Sequence, residues 1–229
     1  MFKGVVTDIF FDLDHTIWDF DRNSALTFRK ILGENGIAVD LDEFLTAYVP
    51  INLAYWKLFR EARIGKAALR YLRLKRTFDV LGYAVSDETI DLLAEQYIAH
   101  LSSFTHLLPD TLEVLDYLKP RYRLHIITNG FAEVQEKKLR NSNILEYFEV
   151  VINSEMAGVK KPDPAIFRLA LKEAATGASR ALMIGDNLEA DILGAKAVGF
   201  HALHLDVQGT SFHSHCLKIS ALHEIKNVL

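Results

Sequence analysis

The 229-residue sequence contains one cysteine, Cys216, so no disulfide forms within the chain and a cysteine-based zinc site is not expected. It has no run of about 18 apolar residues, which removes a transmembrane helix from the expectations. It has no Pro/Gly/Ser-rich linker, no low-complexity segment and no internal repeat. No Gly-x-Gly-x-x-Gly follows a strand-like run, so a dinucleotide-binding oxidoreductase finds no support. Positive charge is not in excess either. The formal net charge is −4 and the pI about 6.1, so nucleic acid and membrane are not expected as partners. The opening "MFKGVVTDIFFDLD" has one Lys and then Asp8 and Asp12 where a secretory signal would run uninterrupted and apolar. The chain is therefore expected to be cytoplasmic.

What is present is ordinary globular material: half of the residues are hydrophobic and 24% are charged. Short, nearly continuous apolar runs occur at 8–14, 123–128, 149–153, 180–185 and 201–206. Each has the length and character of a strand buried on both faces of a parallel sheet. Helical patterns separate the last four, including "DPAIFRLALKEAA", where Asp163 and Pro164 suit a helix start. Repeated strand-helix alternation predicts an α/β class, with a doubly wound core.

Residues 19–104 break that rhythm. They hold no convincing strand but several amphipathic patterns, among them "NSALTFRKILGENG", with Asn23 or Ser24 as N-cap and Gly36 as stop. "NLAYWKLFREARIGKAALRYLRLKRTFDVLG" reads as one or two helices, and "SDETIDLLAEQYIAHLSSF" as another opening at Ser86. The expected organisation is an α/β core of residues 1–18 and 105–229 interrupted by a helical insertion of 19–104.

Ligands bind at the carboxyl ends of strands in open α/β sheets. Collected there are Asp12 and Asp14, then Thr128-Asn129-Gly130, then Lys160 and Lys161, then Asp186-Asn187 with Asp191 beyond. Carboxylates from two strand ends suit Mg²⁺, a hard cation that takes oxygen ligands. Thr128 and the amides that open the next helix suit phosphate oxygens, and a lysine would neutralise further charge. Carboxylate nucleophiles that form aspartyl phosphates are a known strategy, so the combined pattern points to phosphoryl transfer.

The ordered motifs "DLDHT", "IITNG", "KKPDP" and "GDNLEAD" closely resemble those of the haloacid dehalogenase (HAD) superfamily of phosphohydrolases. The resemblance implies a Rossmann-like core and assigns roles. Asp12 would be the nucleophile, and Asp14 would protonate the leaving group and then activate water. Asp12, the backbone carbonyl of Asp14, and Asp186 would hold Mg²⁺. Thr128, with Asn129, would bind phosphate alongside Lys161, the lysine directly before the proline, while Lys160 is read as an exposed neighbour. Asn187 and Asp191 would support the metal site from behind.

Asp14 separates reactions: an alkoxide leaving group needs a proton and a halide does not, so a phosphatase is favoured over a dehalogenase. A phosphomutase would keep the same acid. The insertion resembles the family's helical cap of the first type, which accompanies small, diffusible phosphate esters. With "DLDHTIWDF" and "GVKKPDPAIF" it resembles, more loosely, the noncanonical pyrimidine 5′-nucleotidase branch. Nucleoside 5′-monophosphates are the leading substrate expectation, with sugar phosphates as the alternative, and the chain is expected to act as a monomer or homodimer.

Several residues invite sharper readings than they support. Trp18, Tyr48, Tyr55 and Trp56 are available to stack on a base, but each taken singly reads as core. The seven Lys/Arg between 60 and 76 read as a solvated helix face rather than a substrate-attracting one. His201, His204, His213, His215 and Cys216 match no compact zinc spacing and read as loop or core residues away from the motifs. His15, inside the first motif, reads as structural.

Overall fold

The strand that ends at the first motif is Asp8–Phe11 (β1), four residues that are all buried. In the computed structural model, which describes residues 2–209 and 211–229, β1 lies at the centre of a six-stranded sheet. The others are Arg123–Thr128 (β2), Val150–Asn153 (β3), Ala181–Gly185 (β4), His201–Leu205 (β5) and Leu217–Ile219 (β6). The order is β3-β2-β1-β4-β5-β6 and every pairing is parallel. This doubly wound, Rossmann-like order reverses direction between β1 and β4, which opens a crevice at their carboxyl ends. The predicted strands are all present. The sixth lies in "FHSHCLKIS", where a three-residue edge strand with only Ile219 buried leaves little apolar signal.

Helices close both faces of the sheet. The chain is labelled α1 to α9, of which Thr111–Leu118 (α5), Ala132–Asn141 (α6), Ser154–Ala157 (α7), Pro164–Glu173 (α8) and Gly194–Ala197 (α9) belong here. Asp163 caps α8 by accepting from the Ala165 amide at 2.8 Å, as its position before Pro164 predicts. Phe10, Ile127, Met183, Ile166, Phe167 and Phe200 pack into one core between sheet and helix. A π-helical segment, Leu188–Leu193, precedes α9.

By contact density the chain divides into two compact units, one running up to Phe20 and resuming at Thr105–Leu229, the other Asp21–Phe104. The second unit is helical: Phe20–Glu34 (α1), Leu41–Arg60 (α2), Lys66–Leu81 (α3) and Asp87–Leu101 (α4). Its core is aromatic, with Phe28 against Phe44, Tyr48 and Tyr97 at centroid distances of 4.6–4.8 Å. Asp40 caps α2, and Gly82, with φ of 64°, ends α3 in the left-handed region. Tyr48 is core as read, and so in the first unit is Trp18, whose Nε1 donates to Ser142 Oγ at 3.1 Å; Tyr55 and Trp56 are half-buried.

Two local expectations fail here. Helix α1 begins at Phe20, so Asn23 and Ser24 are buried within it rather than capping it, and Ser24 Oγ pairs with Tyr97 OH at 2.9 Å. The basic run is not wholly a solvated face either. Arg73 is buried, donates to Asn52 Oδ1 at 2.9 Å and lies 4.8 Å from the Tyr97 ring centroid. Among the described residues no helix is long and apolar enough to cross a membrane.

Candidate active site

Asp12 follows β1 directly and stays in the ladder, its amide donating to Ile184 O at 2.9 Å. Beyond it the chain turns sharply: Thr16, Ile17 and Trp18 amides all point at Leu13 O, and His15 takes a φ of 62°. That left-handed residue, with its ring 4.9 Å from Phe20, gives His15 a structural place in the turn. Thr16 Oγ1 donates to Asp186 Oδ1 at 3.2 Å, joining the β1 turn to the end of β4.

One carboxylate oxygen each from Asp12, Asp186 and Asp191 lies within 4.8 Å of the others. Lys161 is buried among them, its Nζ 2.7 Å from Asp12 Oδ1, 2.6 Å from Asp191 Oδ1 and 2.6 Å from Ile127 O. Burial alone would lower the Lys161 pKa, but Asp12 and Asp191 more than offset it and the ammonium is held charged. Burial pushes the Asp12 carboxyl up to about 8 and Asp186 up to about 7, with neighbouring acids adding to the effect and Lys161 opposing it. One lysine therefore leaves three clustered carboxylates undercompensated. The buried Asp191 Oδ1 faces the Lys161 ammonium. An oxygen-lined site with three clustered carboxylates and one lysine fits a hard divalent cation.

The acids are held from behind. Asp191 Oδ2 accepts from the Asn187 amide at 3.0 Å, while Asn187 Oδ1 caps the following helical segment through the Ala190 amide at 2.9 Å. Residue 185 must be glycine for this packing, because a Cβ there would stand 2.3 Å from Asp191 Oδ2. His204, at the end of β5, contacts the Asp186 carbonyl at 2.7 Å, and a carbonyl can only accept, so Nε2 carries the proton. The expectation that His204 lies away from the motifs is thereby corrected: β5 pairs with β4 so that His204 stands opposite Gly185.

Thr128 ends β2 and is buried. Its Oγ1 accepts from the Gly130 amide at 3.1 Å and from Gln135 Nε2 at 2.7 Å, so its own proton remains to be donated. Asn129 Oδ1 accepts from the Lys161 amide at 2.7 Å and its Nδ2 donates to Lys161 O at 3.0 Å. The side chain therefore clamps the lysine's main chain beside Thr128. The Lys161–Pro162 bond that follows is cis.

Asp14 stands apart from the acidic trio. Its Oδ1 is 2.5 Å from Lys138 Nζ and its Oδ2 accepts from Gln135 Nε2 at 2.9 Å. Sequence reasoning missed Lys138 and Gln135, which sit on α6 after the second motif. Their three-residue spacing puts both on one helix face, but amphipathicity alone does not separate a buried lysine from an exposed one.

A doubly wound parallel sheet, with an acidic trio and a buried lysine at its switch point, is the frame of a Rossmann-like hydrolase. The chain belongs to the haloacid dehalogenase-like hydrolase family, whose model matches residues 9–199. It is 33% identical over 197 residues to the pyrimidine 5′-nucleotidase PynA of Streptococcus pneumoniae, covering 85% of this chain and 81% of that protein. It is 34% identical over 197 residues to a glyceraldehyde 3-phosphate phosphatase of Pyrococcus abyssi, covering 83% and 77%. Among solved structures, the magnesium-bound HAD-hydrolase YfnB of Bacillus subtilis superposes with a TM-score of 0.89 at 26% identity, over 99% of each chain.

Proposed function

We propose that the protein is a Mg²⁺-dependent phosphomonoester hydrolase that works through an aspartyl phosphate on Asp12, with nucleoside 5′-monophosphates as its substrates. The observation that carries this reading is the position of Asp12, on the last rung of the central strand, 2.7 Å from the buried Lys161 and within 4.8 Å of Asp186 and Asp191. Asp12 and Asp186, with the Asp14 carbonyl, would hold the cation, with Asp191 adjoining. Bound there, Mg²⁺ supplies positive charge that offsets the phosphoryl oxygens.

In the first step an Asp12 carboxylate oxygen attacks phosphorus, the bond to the ester oxygen breaks, and Asp14 gives that oxygen its proton. In the second, water attacks the same phosphorus, its proton passes to Asp14, and the bond to Asp12 breaks to regenerate the carboxylate. Thr128 donates its free hydroxyl proton to a phosphoryl oxygen, and Lys161 keeps Asp12 in place while neutralising charge.

The similarity to a pyrimidine 5′-nucleotidase supports the nucleotide reading. The similarity to a triose-phosphate phosphatase supports a second, in which the substrate is a small sugar phosphate. Phosphate release across nucleoside monophosphates and sugar phosphates, with Asp12→Asn as the control, separates them. The nucleotide reading expects kcat/KM highest on a pyrimidine nucleotide, and a sugar phosphate preferred by about tenfold or more overturns it.

A further inference from the structure

We infer that Lys138 and Gln135 are positioning residues that hold the Asp14 carboxyl group in line for proton transfer to the leaving oxygen and tie it to the phosphate hook Thr128. The inference rests on the hydrolase reading above and extends it to two residues outside the four motifs.

Each Asp14 oxygen has its own donor, Lys138 Nζ on Oδ1 at 2.5 Å and Gln135 Nε2 on Oδ2 at 2.9 Å. Two donors on two oxygens fix the rotation of the carboxyl plane, which one donor would not. Each oxygen keeps a second lone pair for the proton that travels. The same Gln135 amide nitrogen lies 2.7 Å from Thr128 Oγ1, so one NH₂ group spends its two hydrogens on the acid and on the hook. The two groups that would touch opposite sides of the scissile bond are therefore held by one side chain.

The supports are themselves rigid. Gln135 and Lys138 are buried to 1% and 2% exposure on α6, and the Lys138 ammonium lies 4.3 Å from the centroid of the Trp18 ring. Trp18 in turn is fully buried and pinned by Ser142. Gln135 passes through space that exists only because residue 130 is glycine, since a Cβ there would stand 2.3 Å from Gln135 Cδ. A surface lysine avoids the desolvation that Lys138 undergoes, so its burial against Asp14 is explained by what it holds.

The test compares kcat/KM on a nucleoside 5′-monophosphate, whose alkoxide needs a proton to leave, with p-nitrophenyl phosphate, whose phenolate does not. Lys138→Met is expected to lose about 30- to 100-fold on the nucleotide and under about threefold on the aryl ester. Lys138→Arg is expected to restore most of the nucleotide-to-aryl ratio, and Gln135→Met to shift it in the same direction as Lys138→Met. Equal losses on both esters, or an unchanged ratio, overturn the inference and mark the residues as structural. If Lys138→Met does not fold, Gln135→Met and Lys138→Arg give the ratio. A wild-type protein that hydrolyses neither of these esters nor a sugar phosphate refutes the hydrolase reading and this inference together. An active wild type with substrate-independent losses refutes the inference alone.

Discussion

Lys161 Nζ lies 2.6 Å from Asp191 Oδ1, and both side chains are almost wholly buried. The same ammonium reaches Asp12, so one cation from the third motif serves acids from the first and the fourth. Removing it leaves buried carboxylates uncompensated. Lys161→Met is expected to destabilise the fold by about 3–5 kcal/mol, measured by urea unfolding without metal. It is also expected to lower phosphate release by about 100-fold or more.

Gly185 makes room for Asp191. Gly185→Ala would drive its Cβ to 2.3 Å from Asp191 Oδ2, and a carboxylate packed this tightly has no open side to move to. Mg²⁺ affinity, read by calorimetry, should fall about 10- to 100-fold. Gly177→Ala, where an added Cβ meets nothing within 4 Å, should leave it unchanged.

Cation binding should report on the acidic trio without any turnover. Undercompensated carboxylates gain a partner in the folded state that the unfolded chain does not provide. Mg²⁺ at about 100 times its dissociation constant is therefore expected to add about 2.7 kcal/mol, seen as a rise in Tm that EDTA reverses. Asp186→Asn should abolish most of that rise.

The opposite end of the sheet sets the response to acid. Asp8 is fully buried at the start of β1. Burial raises its pKa, but hydrogen bonds from Thr7, Thr176, His125 and Arg123 outweigh that and bring it below the usual carboxylate value. His125 is pushed down by burial, partly offset by Asp8, and among the described residues its Nδ1 has no hydrogen-bond partner, so a proton added there would find no acceptor. As pH falls below the unfolded histidine value of 6.5, the unfolded chain binds a proton that folded His125 resists, and stability drops. A further drop begins as pH passes below 3.8 toward the depressed folded value of Asp8. In Tm against pH, His125→Gln should flatten the loss that starts near 6.5 and keep the one that starts below 3.8.

The four motifs were legible because each joins an apolar strand to a fixed set of polar residues at its end. Order along the chain then carries over into order at one sheet edge, and Asp12, Lys161, Asp186 and Asp191 come together as the motifs imply. What escaped were partners chosen by packing rather than by pattern. Lys138 and Arg73 each sit in basic stretches of helix that look solvated, and only the neighbouring turns decide that they face inward. Asn129 is placed by its motif, and only the path of the Lys161 main chain shows what its amide holds. His204 approaches the fourth motif through sheet register, which a single strand does not encode.

If Asp12 carries the phosphoryl group during turnover, acid quenching in the steady state followed by peptide mass spectrometry will trap it there. One added phosphoryl group is expected on the peptide containing Asp12, absent in Asp12→Asn, which should also release no phosphate. A wild-type enzyme that turns over with no modified peptide, or an Asp12→Asn protein with full activity, would contradict that role for Asp12.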